Sequence, residues 1–409
     1  MCLRPARAKP SSCKTSVMKA FAYYRLPYLH HATYVAQHRG EPEVLASVGQ
    51  LDGKEGFVIA PFAPSAQWPV VLIHPDETRL LSTAEPILSV SAEGVGRASS
   101  PAGEAMSCLD GDEAIVDAEA VADDEVERAA YAADFDCFHE RLLAGDFRKI
   151  VLARRSLLEG RLPIAWHGGE MDAQSQEVLR GLFVRACRLY PRLFVALVFT
   201  PQSGPWLMAT PEVLLQGETG QMTTMSLAGT QRAEPSRRVA DYPVEGVEWS
   251  AKNREEQQYV TSYIEQCVKD FTPHYSLRGP YTTMAANLYH LRTDIRFRLP
   301  DAQHLGQVLE RLYPTPAVCG IPKEATRQFI LAHEHRPRLY YSGFVGPLSP
   351  AGKTHLYVSL RCMNIRPDGS CHLYAGGGLL RESEMEKEWR ETQAKMQTIL
   401  ALFTSLADK

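Results

Sequence analysis

The chain has 409 residues, 45% of them hydrophobic and 22% charged, with a formal net charge of −4. That length is ample for a large core in one or two domains, and the slight acidity leaves no basic footprint for nucleic acid or an anionic membrane surface. Nine cysteines without a CxxC pair point to reduced thiols and a cytoplasmic setting rather than a disulfide framework or a structural zinc site, and there is no run of about twenty apolar residues to span a bilayer.

Residues 1–17 carry Arg4, Arg7, Lys9 and Lys14 among small polar residues with no apolar segment. They read as a disordered N-terminal extension rather than a secretory signal, with a transit peptide left open. A single domain is expected over 18–409. Its first third reads as short strands, among them residues 56–59 and 70–73, separated by Pro-rich turns. Residues 91–124 are rich in Ala, Gly, Ser, Asp and Glu and are expected to form a mobile surface insertion. A helix follows from Tyr131 to near Gly145, then strands at 149–157, 193–199, 205–209 and 213–216. Helices and strands come in segregated runs, so the expected class is α+β, a large sheet sandwich with helices packed on the outside. Residues 354–366 and 372–374 flank Pro367-Asp368-Gly369-Ser370, the turn chemistry of a hairpin.

Two helices place acids on their apolar side. Over residues 250–271, Val260, Ile264, Cys267, Val268 and Phe271 share one face, and Glu256 falls inside that arc. A carboxylate there needs a cation or a donor; an exposed first-turn acid favoured by the helix dipole is the open alternative. In the last helix, Ser383 and Glu386 have the spacing of a capping box, which starts the helix just after a Gly376-Gly377-Gly378 loop. Trp389, Thr392, Met396, Ile399 and Phe403 form its inner stripe, with Glu388 at the edge and Glu391 beside it. Two such helices could share a hard, oxygen-ligated cation such as Mg²⁺. The glycine triplet lacks the Lys-Ser or Lys-Thr of a phosphate loop, and His333-Glu334-His335 is not a zinc-binding HExxH but a polar loop before Pro337.

Several motifs in order carry a more specific signal: KIVLAR at 149–154, ATPE at 209–212, LAGT at 227–230 and SAKNREEQ at 250–257. Further on come HLRT at 290–293, YPTPAVCG at 313–320, LRC at 360–362, YAGGG at 374–378 and EWRET at 388–392. From about Lys149 to its end the chain resembles the chorismate-utilising enzymes: isochorismate, salicylate, anthranilate and aminodeoxychorismate synthases. Asn253 and Gln257 depart from that pattern, which usually has Asp and His there.

The resemblance implies the chorismate-binding fold, chorismate as substrate and Mg²⁺ as cofactor. A lysine at 149, where the ammonia-using relatives have Gln, resembles the water-using enzymes, and Ala228 stands where aminodeoxychorismate synthases have a nucleophilic lysine. The loop from Thr315 to Gly320 looks like the isochorismate synthase form rather than the salicylate synthase one. The implied reaction has Lys149 take a proton from water attacking C2 of chorismate while protonated Glu212 donates one to the departing C4 hydroxyl. Glu256, Glu388 and Glu391 would hold Mg²⁺ on the ring carboxylate. Arg361 would pair with the enolpyruvyl carboxylate. Backbone donors near Gly229, Thr230, Gly376 and Gly378 would complete the anion site, and Ala228, His290, Ala317 and Lys395 would line it. No glutamine amidotransferase is required, and a monomer or a homodimer would serve. A salicylate synthase, or a catalytically silent chorismate-binding scaffold, is the alternative.

Overall fold

The computed structural model describes residues 19–83, 125–158, 162–232, 243–285, 288–299 and 301–403. The expected extension at 1–17 and insertion at 91–124 lie outside them. Among these residues the chain builds two nine-stranded sheets in which every pairing is antiparallel. The first runs, in spatial order, β16 (Gly320–Ile321), β7 (Lys149–Leu158), β20 (Cys371–Leu379), β19 (Cys362–Ile365), β11 (Gly204–Thr210), β10 (Phe194–Thr200), β1 (Ala20–Arg25), β2 (His31–Gln37) and β6 (Glu77–Ser82). The second runs β14 (Tyr275–Ala285), β15 (Leu288–Arg298), β13 (Gln221–Arg232), β12 (Val213–Glu218), β18 (Lys353–Val358), β17 (Phe344–Leu348), β4 (Gly56–Ala60), β5 (Val70–Ile73) and β3 (Glu43–Leu45). A small hairpin of β8 (Trp166–His167) and β9 (Glu170–Met171) stands apart.

Strand β10 shows why this is a sandwich. Its seven residues, FVALVFT, are all buried, and the period of two sends alternate side chains to opposite faces. Phe194, Ala196 and Val198 enter a core between the sheets with Phe57, Val345 and Tyr357. Val195, Leu197 and Phe199 face outward, onto Leu179, Leu182 and Phe183 of helix α2 (Ala173–Leu189). Each large apolar side chain so buried contributes about 1.5–3 kcal/mol, and such strands need cover on both faces. The described helices supply it: α1 (Glu125–Ala144), α2 and α6 (Met385–Leu400) against the first sheet, α3 (Ala251–Lys269) and α4 (Leu305–Leu312) against the second, with α5 (Lys323–His333) beside β7 and β16. The α+β sandwich expected from the sequence is the architecture found.

The stretch 354–366, expected as one strand, is two strands in different sheets. β18 ends at Val358, the chain crosses between the sheets, and β19 begins at Cys362. Arg361 absorbs the turn at φ 47°, a left-handed conformation that a strand cannot contain. Its carbonyl accepts from the amide of Ala209 at 3.1 Å, which ties this crossing to β11. A second crossing, at Pro211 and Glu212, leads from β11 to β12. The hairpin between β19 and β20 forms as expected, with Pro367–Ser370 in its turn. The glycine triplet is not a loop: Gly376, Gly377 and Gly378 lie within β20, paired with Ala153, Leu152 and Val151 of β7.

Candidate active site

The two crossings, the glycine strand and the N-terminal halves of α3 and α6 enclose a cleft of about 660 Å³. Glu212, Ala228, Gly229, Thr230, Glu256, His290, Ala317, Arg361, Gly376, Gly378, Glu391 and Lys395 all line it. Lys149, at the start of β7, is fully buried behind the lining and meets it at Glu256 and Gly378. A Cβ placed on Gly378 would stand 2.6 Å from its Cε and 3.1 Å from its Nζ, and would collide with Glu256. Glycine is therefore required at 378 for the lysine and the carboxylate to meet.

Helix α3 opens on Ser250, whose hydroxyl accepts from the Asn253 amide at 3.2 Å. With Val260, Ile264, Cys267 and Val268 packed inward, Glu256 is carried to the inner side of the first turns and is mostly buried. Its Oε1 lies 2.9 Å from Lys149 Nζ, and its Oε2 accepts the Gly229 amide at 3.1 Å. Burial works to raise its pKa, but the Lys149 charge and contact overcome that and hold the carboxyl below its usual range. The exposed-acid alternative for Glu256 is thus set aside. The expected anion donor at Gly229 is also spoken for. The residue is a bulge in β13 at φ 69°, and its amide serves the carboxylate rather than the open cleft.

On α6, Glu388 is 3% exposed. Lys252 Nζ stands 2.6 Å from its Oε1, and Ser383 Oγ donates to the same oxygen at 2.8 Å. This corrects the capping-box reading. The helix begins at Met385 with Glu384 at the cap and no side-chain cap bond, Glu386 pairs outward with Arg128, and the Ser383 hydroxyl accepts from the Leu380 amide at 3.0 Å while donating to Glu388. Burial and the nearby Glu391 raise the Glu388 pKa, with Lys252 opposing. Glu391 pairs with Lys395 at 2.7 Å, and Lys395 also donates to the Gly376 carbonyl at 2.8 Å.

Each of the three carboxylates expected to hold a metal therefore has its own lysine. Among the described residues no group of three His, Cys, Asp or Glu converges closely enough to ligate one ion. The donor set nonetheless suits a hard divalent cation. Two donors occupy Glu388 Oε1; Glu388 lies behind the cleft lining rather than in it, and a Cβ on the lining residue Gly377 would stand 3.2 Å from its Oε2 and 3.7 Å from Glu391 Oε1. That glycine leaves free volume between two acids that repel each other, the setting in which an added cation is favoured.

Glu212 follows the β11 crossing and is 3% exposed, with no hydrogen bond to Oε1. Burial pushes its pKa up to about 8 despite the opposing charges of Lys149 and Lys395, so it is a carboxylic acid at neutral pH. His290 Nδ1–H donates to the Gly229 carbonyl at 3.1 Å, and Nε2 accepts from Arg361 Nη2 at 2.8 Å. Burial, then the Arg361 and Lys395 charges, hold the imidazole well below its ordinary pKa, and it is neutral. Burial also lowers Arg361, to about 10.

Residues not singled out from sequence complete the site. Lys252 lies inside the SAKNREEQ motif, one helical turn before Glu256, and that spacing was its only signal. Tyr341 lines the cleft, stacked on Tyr374 at 5.5 Å. Gln257, at a departure from the usual pattern, is buried and donates to Ser226 and Thr293 at 2.8 and 3.2 Å, so it braces α3 against β13 and β15 without entering the cleft. The segment His333 to His335 is no plain polar loop: His333 ends α5, and Glu334 is buried with Arg338.

A family profile described as chorismate binding enzyme matches residues 105–404, and the chain belongs to that family. It is 34% identical over 199 residues to the salicylate biosynthesis isochorismate synthase of Pseudomonas aeruginosa, covering 47% of this chain and 41% of that protein. It is 30% identical over 271 residues to isochorismate synthase DhbC of Bacillus subtilis, covering 64% of each. These matches span less than two thirds of the relatives' length. The solved structure of MenF, the menaquinone-specific isochorismate synthase of Escherichia coli, superimposes with a TM-score of 0.69 at 19% identity, over 96% of this chain and 92% of that one; the fold is shared. Among the described residues no helix is long and apolar enough to cross a membrane.

Proposed function

We propose that the chain is an isochorismate synthase, a cytoplasmic enzyme that interconverts chorismate and isochorismate with water as nucleophile and Mg²⁺ as cofactor. The observation that carries this reading is a buried Glu212 in the cleft lining, its pKa pushed up to about 8 by burial, with the buried Lys149 meeting the same lining at Glu256. Lys149 takes a proton from water as the oxygen bonds to C2. Both ring double bonds shift, C1=C2 to C1=C6 and C5=C6 to C4=C5, the C4–oxygen bond breaks, and Glu212 gives its proton to the departing hydroxyl, which leaves as water. No ammonia, and hence no glutamine amidotransferase partner, enters this scheme.

Arg361 meets the enolpyruvyl carboxylate with its planar fork, oriented by its contact with His290. Glu256, Glu391 and the open oxygen of Glu388 are the groups that would hold Mg²⁺; when bound it would neutralise these acids and hold the ring carboxylate of the substrate. Lys149, 2.9 Å from Glu256, is the residue assigned as base. Lys252 and Ser383 hold Glu388 by its Oε1.

The test is to incubate the purified chain with chorismate and Mg²⁺ and identify the product. Isochorismate, formed to an equilibrium that is also reached from the other side, supports the reading. Salicylate with pyruvate would reassign the chain to the salicylate synthases. Absence of any turnover would leave only a chorismate-binding scaffold.

A further inference from the structure

Arg338 and Glu334 form the most completely satisfied buried ion pair among the described residues, and the reaction scheme above does not use it. Arg338 is 4% exposed, its guanidinium 4.5 Å from the Phe62 ring. Nε and Nη2 each stand 2.7 Å from a Glu334 oxygen. The other bonds go to backbone: Nη1 donates to the Val318 carbonyl at 2.6 Å and Nη2 to the Val151 carbonyl at 2.8 Å. Glu334 Oε1 also accepts the Ala153 amide at 2.7 Å.

Val151 and Val318 line the cleft. Val151 lies two residues beyond Lys149 on β7, and Val318 follows Ala317 in the loop opposite. The Val151 amide donates to the Cys319 carbonyl at 2.7 Å, so the same guanidinium clamps both sides of this junction. Tyr341, a third lining residue, donates its amide to the Arg338 carbonyl at 2.9 Å. A lysine could satisfy Glu334, but a point charge on a flexible stem cannot span two carbonyls and a carboxylate in one plane.

We propose that Arg338, oriented by Glu334, is a positioning residue that fixes the separation between the strand bearing Lys149 and the loop bearing Ala317. The proposal rests on the reading of Lys149 as the base. A small displacement of a reacting group lowers the rate without a matching loss of binding, by up to about 100-fold per ångström.

Two measurements test this on the full chain. Replacing the pair together, Glu334→Leu with Arg338→Met, leaves no stranded charge, and such exchanges often preserve stability. Arg338→Lys, which keeps a cation for Glu334, is the second variant should the first not fold. Both are expected to lower kcat for isochorismate formation on the order of 10-fold or more, with KM within about threefold. Amide hydrogen exchange at Val151 and Cys319 should speed up relative to β10. Unchanged kcat per folded molecule, or unchanged exchange at Val151 and Cys319, overturns the proposal. A wild-type chain that makes no isochorismate overturns the functional reading instead, and the exchange measurement still decides whether the pair sets this wall.

Discussion

The Nε2 of His290 accepts a hydrogen bond from Arg361 at 2.8 Å while its Nδ1–H is committed to the Gly229 carbonyl at 3.1 Å. The ring can serve Arg361 only while neutral, since a second N–H would face a guanidinium. Loss of a hydrogen bond to a charged group costs about 1.5–3 kcal/mol. His290→Phe is therefore expected to raise KM for chorismate roughly 10- to 100-fold with a smaller change in kcat, measured by steady-state kinetics. The pH dependence has a definite sign. The folded pKa lies below the ordinary 6.5, so the unfolded chain takes up the proton first. Stability from this site is present above about pH 6.5 and is lost as pH falls below it; thermal melts should show a shallower acid loss in His290→Phe.

Glu212 is expected to behave as an acid that must keep its proton. Glu212→Gln should bind substrate comparably and lose on the order of 10²- to 10⁴-fold in kcat. In the wild type, kcat should fall as pH rises through about 8, the value to which burial pushes this group. The folded state retains a proton that the unfolded chain releases near 4.5. Stability therefore declines as pH rises from that value to about 8, and Glu212→Gln should remove that decline.

Lys149→Ala should likewise lose kcat by about 10²- to 10⁴-fold, with KM little changed because Arg361 and the carboxylates remain. A raised KM at near-normal kcat would make Lys149 a binding group and withdraw its assigned role.

Glu256→Gln and Glu391→Gln each remove one ligand charge from the cleft without altering side-chain volume. Both are expected to weaken Mg²⁺ binding in calorimetry by tenfold or more, about 1.4 kcal/mol, while near-UV circular dichroism shows an intact fold. Full Mg²⁺ affinity in both variants would remove these glutamates from the metal site.

Much of this site was legible in the sequence because its parts sit in short ordered motifs. Lys149, Glu212, Glu256, His290 and Arg361 could each be singled out before any fold was known, while the glycine triplet was read as a loop and helical periodicity left Glu256 with an exposed alternative and Glu388 at the edge of its stripe. What stayed hidden depends on partners far along the chain. Ser383 has the local spacing of a cap, yet its hydroxyl accepts from the Leu380 amide and donates to the carboxylate five residues on. Glu334 reads as a solvated acid between two histidines until Arg338 and the Ala153 amide close around it. The break at Arg361 was missed because residues 354–366 alternate like one strand, and only the crossing between two sheets demands a left-handed residue there.

The central claim is that water is the nucleophile. The most direct measurement is to run the reaction in water enriched in the heavy oxygen isotope and locate the label in the product by mass spectrometry and NMR. The account predicts isochorismate with the heavy oxygen on the C2 hydroxyl, in the presence of Mg²⁺ and without ammonia. Isochorismate lacking label at C2, or anthranilate as the main product when ammonia is supplied, would contradict it.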